Sequence, residues 1–186
     1  FTGNNLLVMA WADRRISTAE LLRNWALVLL GNLIGAVLLA IAYHFARGHA
    51  VEPDPIARQA WRVAAAKAAL PFMTAFWRGV LCNVLVCLAV WMALAGRSVV
   101  DKIVAIVLPV TAFVAAGFEH SVANFYFFTL AAMIEGSLPE TAVRQMTLNA
   151  IISNLLPVLL GNIAGGAGLV AVVYHLIYRR AASRSE

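Results

Sequence analysis

Glu119 and His120 are the residues of this sequence best suited to acid–base chemistry, because they stand together inside an otherwise uncharged segment. The runs on either side, residues 103–117 and 121–134, contain no Asp, Glu, Lys or Arg. An imidazole titrates near neutral pH, so His120 could donate a hydrogen bond to an anion or hand it a proton. Glu119 could orient the imidazole or serve as an ion-pair anchor for packing, and the sequence leaves both roles open.

The length of this segment predicts that its helix is broken. A continuous helix over residues 103–134 would be about 48 Å long at about 1.5 Å per residue, whereas the hydrocarbon core of a bilayer is about 30 Å thick. A break between Gly117 and Ser121 would shorten the crossing and place the polar pair at depth. Polar side chains and unwound backbone persist there only within protein or beside a water-lined cavity. We therefore expect the break to form the centre of a pore for a small anion.

The composition indicates a helical membrane protein with several spans. Of the 186 residues, 62% are hydrophobic and 12% are charged, and the mean hydropathy is +0.83, whereas a soluble domain has about 25% charged residues. The net charge of +5 comes without the basic clusters that are typical of nucleic-acid binding, so we expect no nucleic-acid partner. Cys82 and Cys87 would point about 140° apart on a helix, and we expect both to be reduced, buried thiols.

Uncharged runs between polar turns predict a single transmembrane domain over residues 1–186. Residues 1–12 are too short to cross a bilayer alone, and the sequence from Ser17 to Glu20 predicts a helix cap. Residues 47–67 and 136–144 form polar connections. The turns at residues 13–23 and 97–102 and the tail after residue 178 lie on one side of the membrane and together carry a mild excess of Lys and Arg. Because cytoplasmic loops are enriched in these residues, we expect the C-terminus in the cytoplasm. Four spans are expected, at residues 18–46, 68–96, 103–134 and 145–178.

An internal repeat relates the first and the last of these spans. Residues 24–35 align with residues 154–165, and seven of the twelve positions are identical, including the run Val-Leu-Leu-Gly-Asn. Three crossings separate the two copies, so they traverse the membrane in opposite directions. Inverted repeats commonly enclose a permeation site near the membrane midplane. Coincidental packing of small residues between helices is the alternative explanation.

Five motifs occur along the chain: Phe1-Thr2-Gly3-Asn4, Gly31-Asn32, residues 79–91, Phe118-Glu119-His120-Ser121 and residues 154–166. In this order they resemble the formate/nitrite transporter family, and the resemblance covers nearly the whole chain. The turn at residues 96–102 is most similar to that of the formate channels. The resemblance implies an all-α, aquaporin-like protomer of six helices with an inverted repeat and broken helices, assembled as a homopentamer with one pore per protomer. It also implies that the first helix and part of the second are absent from this chain.

The resemblance also implies roles for individual pore residues. His120 matches the family's central histidine, and Thr2 matches a loop threonine whose hydroxyl faces that histidine across the pore. Asn162 matches an amide on the sixth helix near the same point. Lys67 matches a vestibule lysine that attracts anions toward the mouth, although an isolated loop lysine is usually just solvated.

Four further residues are candidates for the pore and have structural alternatives. Phe1 and Phe113 resemble apolar constriction residues, and on apolar helices they would otherwise be assigned to the core or to the lipid-facing surface. Asn83 and Asn124 could line the pore or support the scaffold. The sequence leaves these alternatives open for all four residues.

The function that we expect is transport of a small monovalent anion, formate first, with nitrite and hydrosulfide as alternatives, across the cell membrane. A bare anion entering hydrocarbon has a large desolvation cost, whereas the neutral acid has a small one. A dry constriction around His120 would therefore reject charge unless the anion is protonated there or in the vestibule. The protein would act as a passive channel or as a proton-coupled transporter, with protons as its second partner and no cofactor.

Two other classes of membrane protein are alternatives to a transporter. A haem-carrying membrane anchor would use histidines, but His44 and His175 end oppositely directed repeats and should sit at opposite membrane faces. His120 would then lack a partner ligand. A membrane-embedded hydrolase would need a nucleophile with its base or a metal triad. Ser121 follows His120 directly in sequence, so the two side chains face different directions and do not form such a pair. We therefore expect no enzyme activity.

Overall fold

A computed structural model describes residues 1–46, 55–137 and 146–182. All secondary-structure elements in these ranges are helices, in agreement with the all-α fold that the sequence predicts. Of the predicted polar connections, residues 47–54 and 138–144 lie outside the described ranges. The helices are α1 (Leu7–Ala12), α2 (Thr18–Phe45), α3 (Pro55–Ala68), α4 (Phe72–Ala95), α5 (Val99–Ala115), α6 (Ser121–Ile134), α7 (Leu148–Ile163) and α8 (Val173–Ala182).

Three helical stretches are long and apolar enough to cross a bilayer. They are α2, α4 and the stretch Leu148–Tyr178, in which a wide π-helical segment, Ala164–Val172, joins α7 to α8. The outer faces of α2 and α5 carry large exposed aliphatic side chains, such as Leu38 and Leu108. Exposed apolar faces of this extent belong in lipid or against other subunits. The prediction of a polytopic membrane protein is confirmed.

Capping boxes begin two of the helices. At the start of α2, the Ser17 hydroxyl accepts from the Glu20 amide at 3.2 Å, and the Glu20 carboxylate accepts from the Ser17 amide at 2.8 Å. Ser98 and Asp101 make the same reciprocal pair at the start of α5. Each pair satisfies amides that the first helical turn leaves without partners. The cap that the sequence predicts at residues 17–20 is confirmed.

The break between α5 and α6 covers residues 116–120 and depends on a glycine. Gly117 adopts φ +66°, a left-handed conformation that side chains disfavour. The amide of Phe118 then donates back to the carbonyl of Phe113 at 3.0 Å, which closes the end of α5 in a Schellman-type turn. The predicted break within residues 103–134 is confirmed, and the chain arrives at His120 in an extended conformation.

Close backbone contact between α4 and the α7 region forms the centre of the protein. A Cβ at Gly161 would collide with the carbonyl oxygen of Phe76, and a Cβ at Gly165 would collide with that of Val80. Small residues at a helix interface allow such approach within a membrane. Around this centre, α5 packs on the other side of α4, while α2 and α3 pack against α6.

Residues 55–67 correct the prediction of a polar connection, because they form most of α3. Ala57 and Ala64 are fully buried, and Trp61 packs with them against α6. These positions are four and three residues apart, so they form one apolar stripe, and the charged residues between them lie on the other faces. A prediction based on the number of charged residues in this stretch misses the helical spacing of its apolar residues.

The repeat-related helices run in opposite directions. The turn that precedes α2 lies beside the last helix, since Asp13 Oδ1 is 3.6 Å from His175 Nδ1 on α8. At the other end, Asn154 near the start of α7 donates to the carbonyl of Lys67 at 2.8 Å. Thus α2 starts beside α8, where the α7–α8 stretch ends, so α2 and that stretch run in opposite directions. The predicted inverted repeat is confirmed.

Candidate functional site

His120 lies in the break, directly before the first residue of α6. Its Nε2 is 3.5 Å from the hydroxyl oxygen of Thr2, which belongs to the loop before α1. Its ring centroid is 6.1 Å from that of Phe113, which lies in the last turn of α5. Residues far apart in sequence therefore meet at one point: an imidazole, a hydroxyl and an aromatic ring.

His120 lines two cavities. The first, the vestibule cavity, has a volume of about 440 Å³ and lies among α3, α4, α5 and α6. The second, the α2–α6 cavity, has a volume of about 520 Å³ and is lined by Asn32, Gly35 and Tyr126 among others. His120 thus stands where the two spaces approach each other. The vestibule cavity is defined by Lys67, Arg78, Phe113, Glu119, His120 and Phe127.

Lys67 and Glu119 form an ion pair at the wall of the vestibule cavity. The distance from Lys67 Nζ to Glu119 Oε1 is 2.9 Å, and the side chains are 14% and 3% exposed. The other carboxylate oxygen of Glu119 accepts from Asn124 Nδ2 at 2.6 Å. Of the two roles that the sequence left open for Glu119, this geometry favours the ion-pair anchor. Lys67 lies in the last turn of α3, which corrects its assignment to a loop.

Amides close this pair into a ring of hydrogen bonds. The Asn124 amide also donates to Asn154 Oδ1 at 2.8 Å, and Asn154 Nδ2 donates to the backbone carbonyl of Lys67. Both asparagines are fully buried. Both carboxylate oxygens of Glu119 have partners in this network, and of its two asparagines only the Oδ1 of Asn124 has none among the described residues. A buried polar network that is largely satisfied favours a single arrangement of the helices that carry it. The ring joins α3, the break, α6 and α7.

Asn162 joins the break to α4 and α7. Its Oδ1 accepts from the amide of Ser121 at 3.0 Å, which caps the start of α6 from another helix. Its Nδ2 donates to the carbonyl of Gly79 at 2.9 Å and to that of Glu119 at 3.0 Å. The backbone on each side of His120 is therefore held by one side chain.

Two further amides fix the loop that carries Thr2. Asn83 Nδ2 lies 3.0 Å from the carbonyl of Phe1 and 2.8 Å from that of Asn162, so it donates to both. Asn5 Nδ2 reaches the same two carbonyls at 3.4 and 3.3 Å. The sequence analysis did not identify Asn5, although it follows the Phe1-Thr2-Gly3-Asn4 motif directly.

Trp25 on α2 holds the same loop from the other side, and the sequence analysis did not identify it either. Its indole N–H donates to the carbonyl of Asn4 at 3.0 Å. Its ring contacts Phe1 edge-on, with 5.9 Å between centroids. Phe1 is buried in this contact. The one signal for Trp25 in the sequence is its place beside the first residue of the repeat.

The structure sorts the predicted site residues into two groups. Asn83, Asn124 and Asn162 are fully buried and line neither of the two cavities. Their side chains bond to backbone and side-chain partners, and of these three amides only Asn124 Oδ1 has no partner among the described residues. This geometry favours a scaffold role for them behind the pore surface. The residues near the cavities are Thr2, Lys67, Phe113, Glu119 and His120, of which all but Thr2 line the vestibule cavity.

The described residues hold no group of three or more His, Cys, Asp or Glu side chains that could bind a metal ion. Cys82 and Cys87 are unpaired, buried thiols, in agreement with their predicted orientation. His175 pairs with Asp13 at the far end of the α7–α8 stretch, away from the break that carries His120.

Comparisons with known proteins find relatives of this chain by sequence and by fold. A family model described as formate/nitrite transporter matches residues 1–176. The formate channel FocA of Escherichia coli (strain K12) is 38% identical over 191 residues, covering 97% of this chain and 67% of that protein. A probable formate transporter of Methanothermobacter thermautotrophicus is 40% identical over 193 residues, with coverage of 96% and 67%.

Two solved structures share the fold. A pentameric formate channel with formate bound matches with a TM-score of 0.78 and 38% identity, covering 86% of this chain and 67% of that one. An FNT family ion channel matches with a TM-score of 0.80 and 34% identity, covering 92% and 66%. This chain therefore spans about two thirds of the length of these relatives.

Proposed function

This chain belongs to the formate/nitrite transporter family, and we propose that it transports a small monovalent anion, formate first, through a pore centred on His120. One observation carries the proposal. His120 lines two cavities at a helix break, with a hydroxyl 3.5 Å from its ring nitrogen and an aromatic ring beside it. The relatives named as formate channels support formate as the substrate. Nitrite and hydrosulfide are the further anions to test.

The surroundings of His120 suit an acid–base step. Phe113 and Phe127 line the vestibule cavity beside it, so an anion that reaches the imidazole loses much of its water. Desolvation costs a charged species far more than its conjugate acid. A proton held at His120, with the Thr2 hydroxyl as a hydrogen-bond partner, lowers this cost by converting formate to formic acid. Transport through this point is then proton-coupled.

We also propose that the protein is a homopentamer in the plasma membrane with its C-terminus in the cytoplasm. The exposed apolar faces of α2 and α5 supply surface for lipid and for neighbouring protomers. A structural relative described as a pentameric formate channel supports the number of protomers. The excess of Lys and Arg in the turns on the C-terminal side supports the orientation.

Formate flux into proteoliposomes tests the role of His120. The purified protein is reconstituted, and formate flux is measured from about pH 5 to about pH 8, the range in which histidine changes charge. The unmodified protein is expected to show a pH-dependent flux, which His120→Ala and His120→Asn abolish or flatten without disrupting assembly. If His120→Ala keeps the same pH profile as the parent, His120 has no part in the mechanism.

A further inference from the structure

The vestibule cavity contains a positive charge that the Lys67–Glu119 pair does not balance. Three side chains carry a formal charge on its lining: Lys67, Arg78 and Glu119. We propose that Arg78 is the anion-recognition residue of this cavity and that it selects planar anions with two oxygen atoms, namely small carboxylates and nitrite. The inference rests on the proposed transport function and names the group that first binds the substrate.

The charge of Lys67 is already compensated. Its ammonium is 2.9 Å from Glu119 and lies 5.8 Å from the centroid of the Phe127 ring. A tight pair of opposite charges acts at a distance as a dipole, and its attraction for a third charge falls off faster than that of a single ion. Lys67 therefore contributes little net charge to the vestibule cavity, although it lies at the cavity wall.

Arg78 has no such partner in the part of the chain that the structure describes. The ion pairs found there are Lys67–Glu119 and Asp13–His175. No hydrogen bond of the Arg78 guanidinium to a described residue occurs either. Arg78 is a half-buried residue of the cavity lining, and a guanidinium without a carboxylate partner has its N–H donors available to a solute. The net charge of the described cavity lining, +1, is thus that of Arg78.

The backbone of Arg78 is fixed against the break. Its carbonyl accepts from the amide of Glu119 at 3.3 Å, and the carbonyl of the next residue, Gly79, accepts from Asn162. The same short segment therefore contacts the residue that precedes His120 in the chain. An anion bound by Arg78 is held in the cavity that His120 also lines, on the path to the proposed proton donor.

The chemistry of the side chain determines which anions it prefers. A guanidinium presents parallel N–H groups whose spacing matches the two oxygen atoms of a carboxylate, and nitrite offers a similar pair. Chloride and hydrosulfide have a single centre and cannot engage both donors in this way.

Variants of Arg78 separate its charge from its shape. Arg78→Gln removes the charge, and Arg78→Lys keeps the charge but loses the parallel pair of N–H donors. Arg97→Gln, in the exposed turn after α4, is the matched control. Flux of formate and of chloride into proteoliposomes is measured against anion concentration. We expect R78Q to raise the half-saturating formate concentration roughly tenfold, the loss of one charge-assisted contact. R78K should give a smaller rise and a lower formate-to-chloride ratio, and R97Q should match the parent.

The outcomes distinguish this inference from the proposed function. If the parent carries formate and R78Q has the same half-saturating concentration, Arg78 does not recognise the anion and this inference alone is overturned. If the folded parent carries no formate, nitrite or hydrosulfide, the transport function falls and the inference falls with it. Should R78Q not assemble, R78K decides, because an unchanged formate-to-chloride ratio in that variant would overturn the preference for two-oxygen anions.

Discussion

Lys67 and Glu119 meet as a partly buried ion pair, with 2.9 Å between Nζ and Oε1, and this pair joins α3 to the broken helix. Glu119 is followed directly by His120, so the position of the imidazole depends on a charge that α3 supplies. Because Glu119 also accepts from Asn124, its carboxylate has partners on both oxygens. The geometry that presents His120 to the cavities is thus set by residues behind it.

Removing one member of this pair should destabilise the protein more than removing both charges. Glu119→Gln leaves the Lys67 ammonium without its counter-ion, and breaking a fully buried pair costs about 3 kcal/mol or more, so this partly buried pair should cost somewhat less. The double variant with Lys67→Met leaves no unpaired charge and should recover part of the loss. Thermal unfolding in detergent gives the unfolding temperatures of the parent, E119Q and the double variant. Equal unfolding temperatures for the parent and E119Q would show that the pair does not stabilise the fold.

Asn162→Leu should be far more destabilising than the same change at Asn32, its mate in the repeat. Asn162 is fully buried and bonds to Ser121, Gly79 and Glu119, so leucine leaves one amide and two carbonyls without this partner. Each unsatisfied buried group costs about 1–3 kcal/mol. Asn32 is half-buried at the α2–α6 cavity. Unfolding temperatures and the yield of assembled protein provide the comparison, and equal losses at both sites would contradict the proposed capping of α6.

A second pair of repeat mates tests the helix contact. Gly161→Ala places a methyl group against the carbonyl oxygen of Phe76, which forces α7 away from α4 and should cost about 3 kcal/mol. Gly31→Ala meets no described atom within 4 Å and should be neutral or slightly stabilising, since alanine favours helix. Thermal unfolding of both variants checks this. A G161A protein as stable as G31A would show that α4 and α7 do not pack as closely as the structure has them.

The broken helix and the caps could be predicted from the sequence because their causes are local. Gly117 allows the left-handed turn that ends α5, and Ser17 with Glu20 forms a capping box within four residues. The helix over residues 55–68 was missed, because its apolar stripe of small residues lies among charges that dominate a composition-based reading.

The supporting residues of the candidate site could not be predicted, because their partners are distant in the chain. Trp25 bonds to Asn4 across 21 positions, and Asn5 bonds to the carbonyl of Asn162 across 157 positions. No local pattern distinguishes such a tryptophan from one that faces lipid. The pairing of Lys67 with Glu119 is of the same kind, since it requires the packing of α3 against the break.

The contact between Trp25 and the Phe1–Thr2 segment leads to a prediction about selectivity. Trp25→Phe keeps an aromatic ring beside Phe1 but removes the N–H that donates to the Asn4 carbonyl. A neutral hydrogen bond contributes about 1 kcal/mol, so the population of displaced loop conformations should rise roughly fivefold. Thr2 would then leave its position beside His120 more often, and the constriction would open to larger anions.

The flux of acetate relative to formate in proteoliposomes measures this effect. We expect W25F to raise the acetate-to-formate ratio several-fold and Trp25→Leu, which also loses the ring contact with Phe1, to raise it further. Trp77→Phe, on the exposed face of α4, is the matched control and should leave the ratio unchanged. Because an indole that merely filled space would be replaced well by phenylalanine, a ratio in W25F equal to that of the parent would assign Trp25 to packing alone.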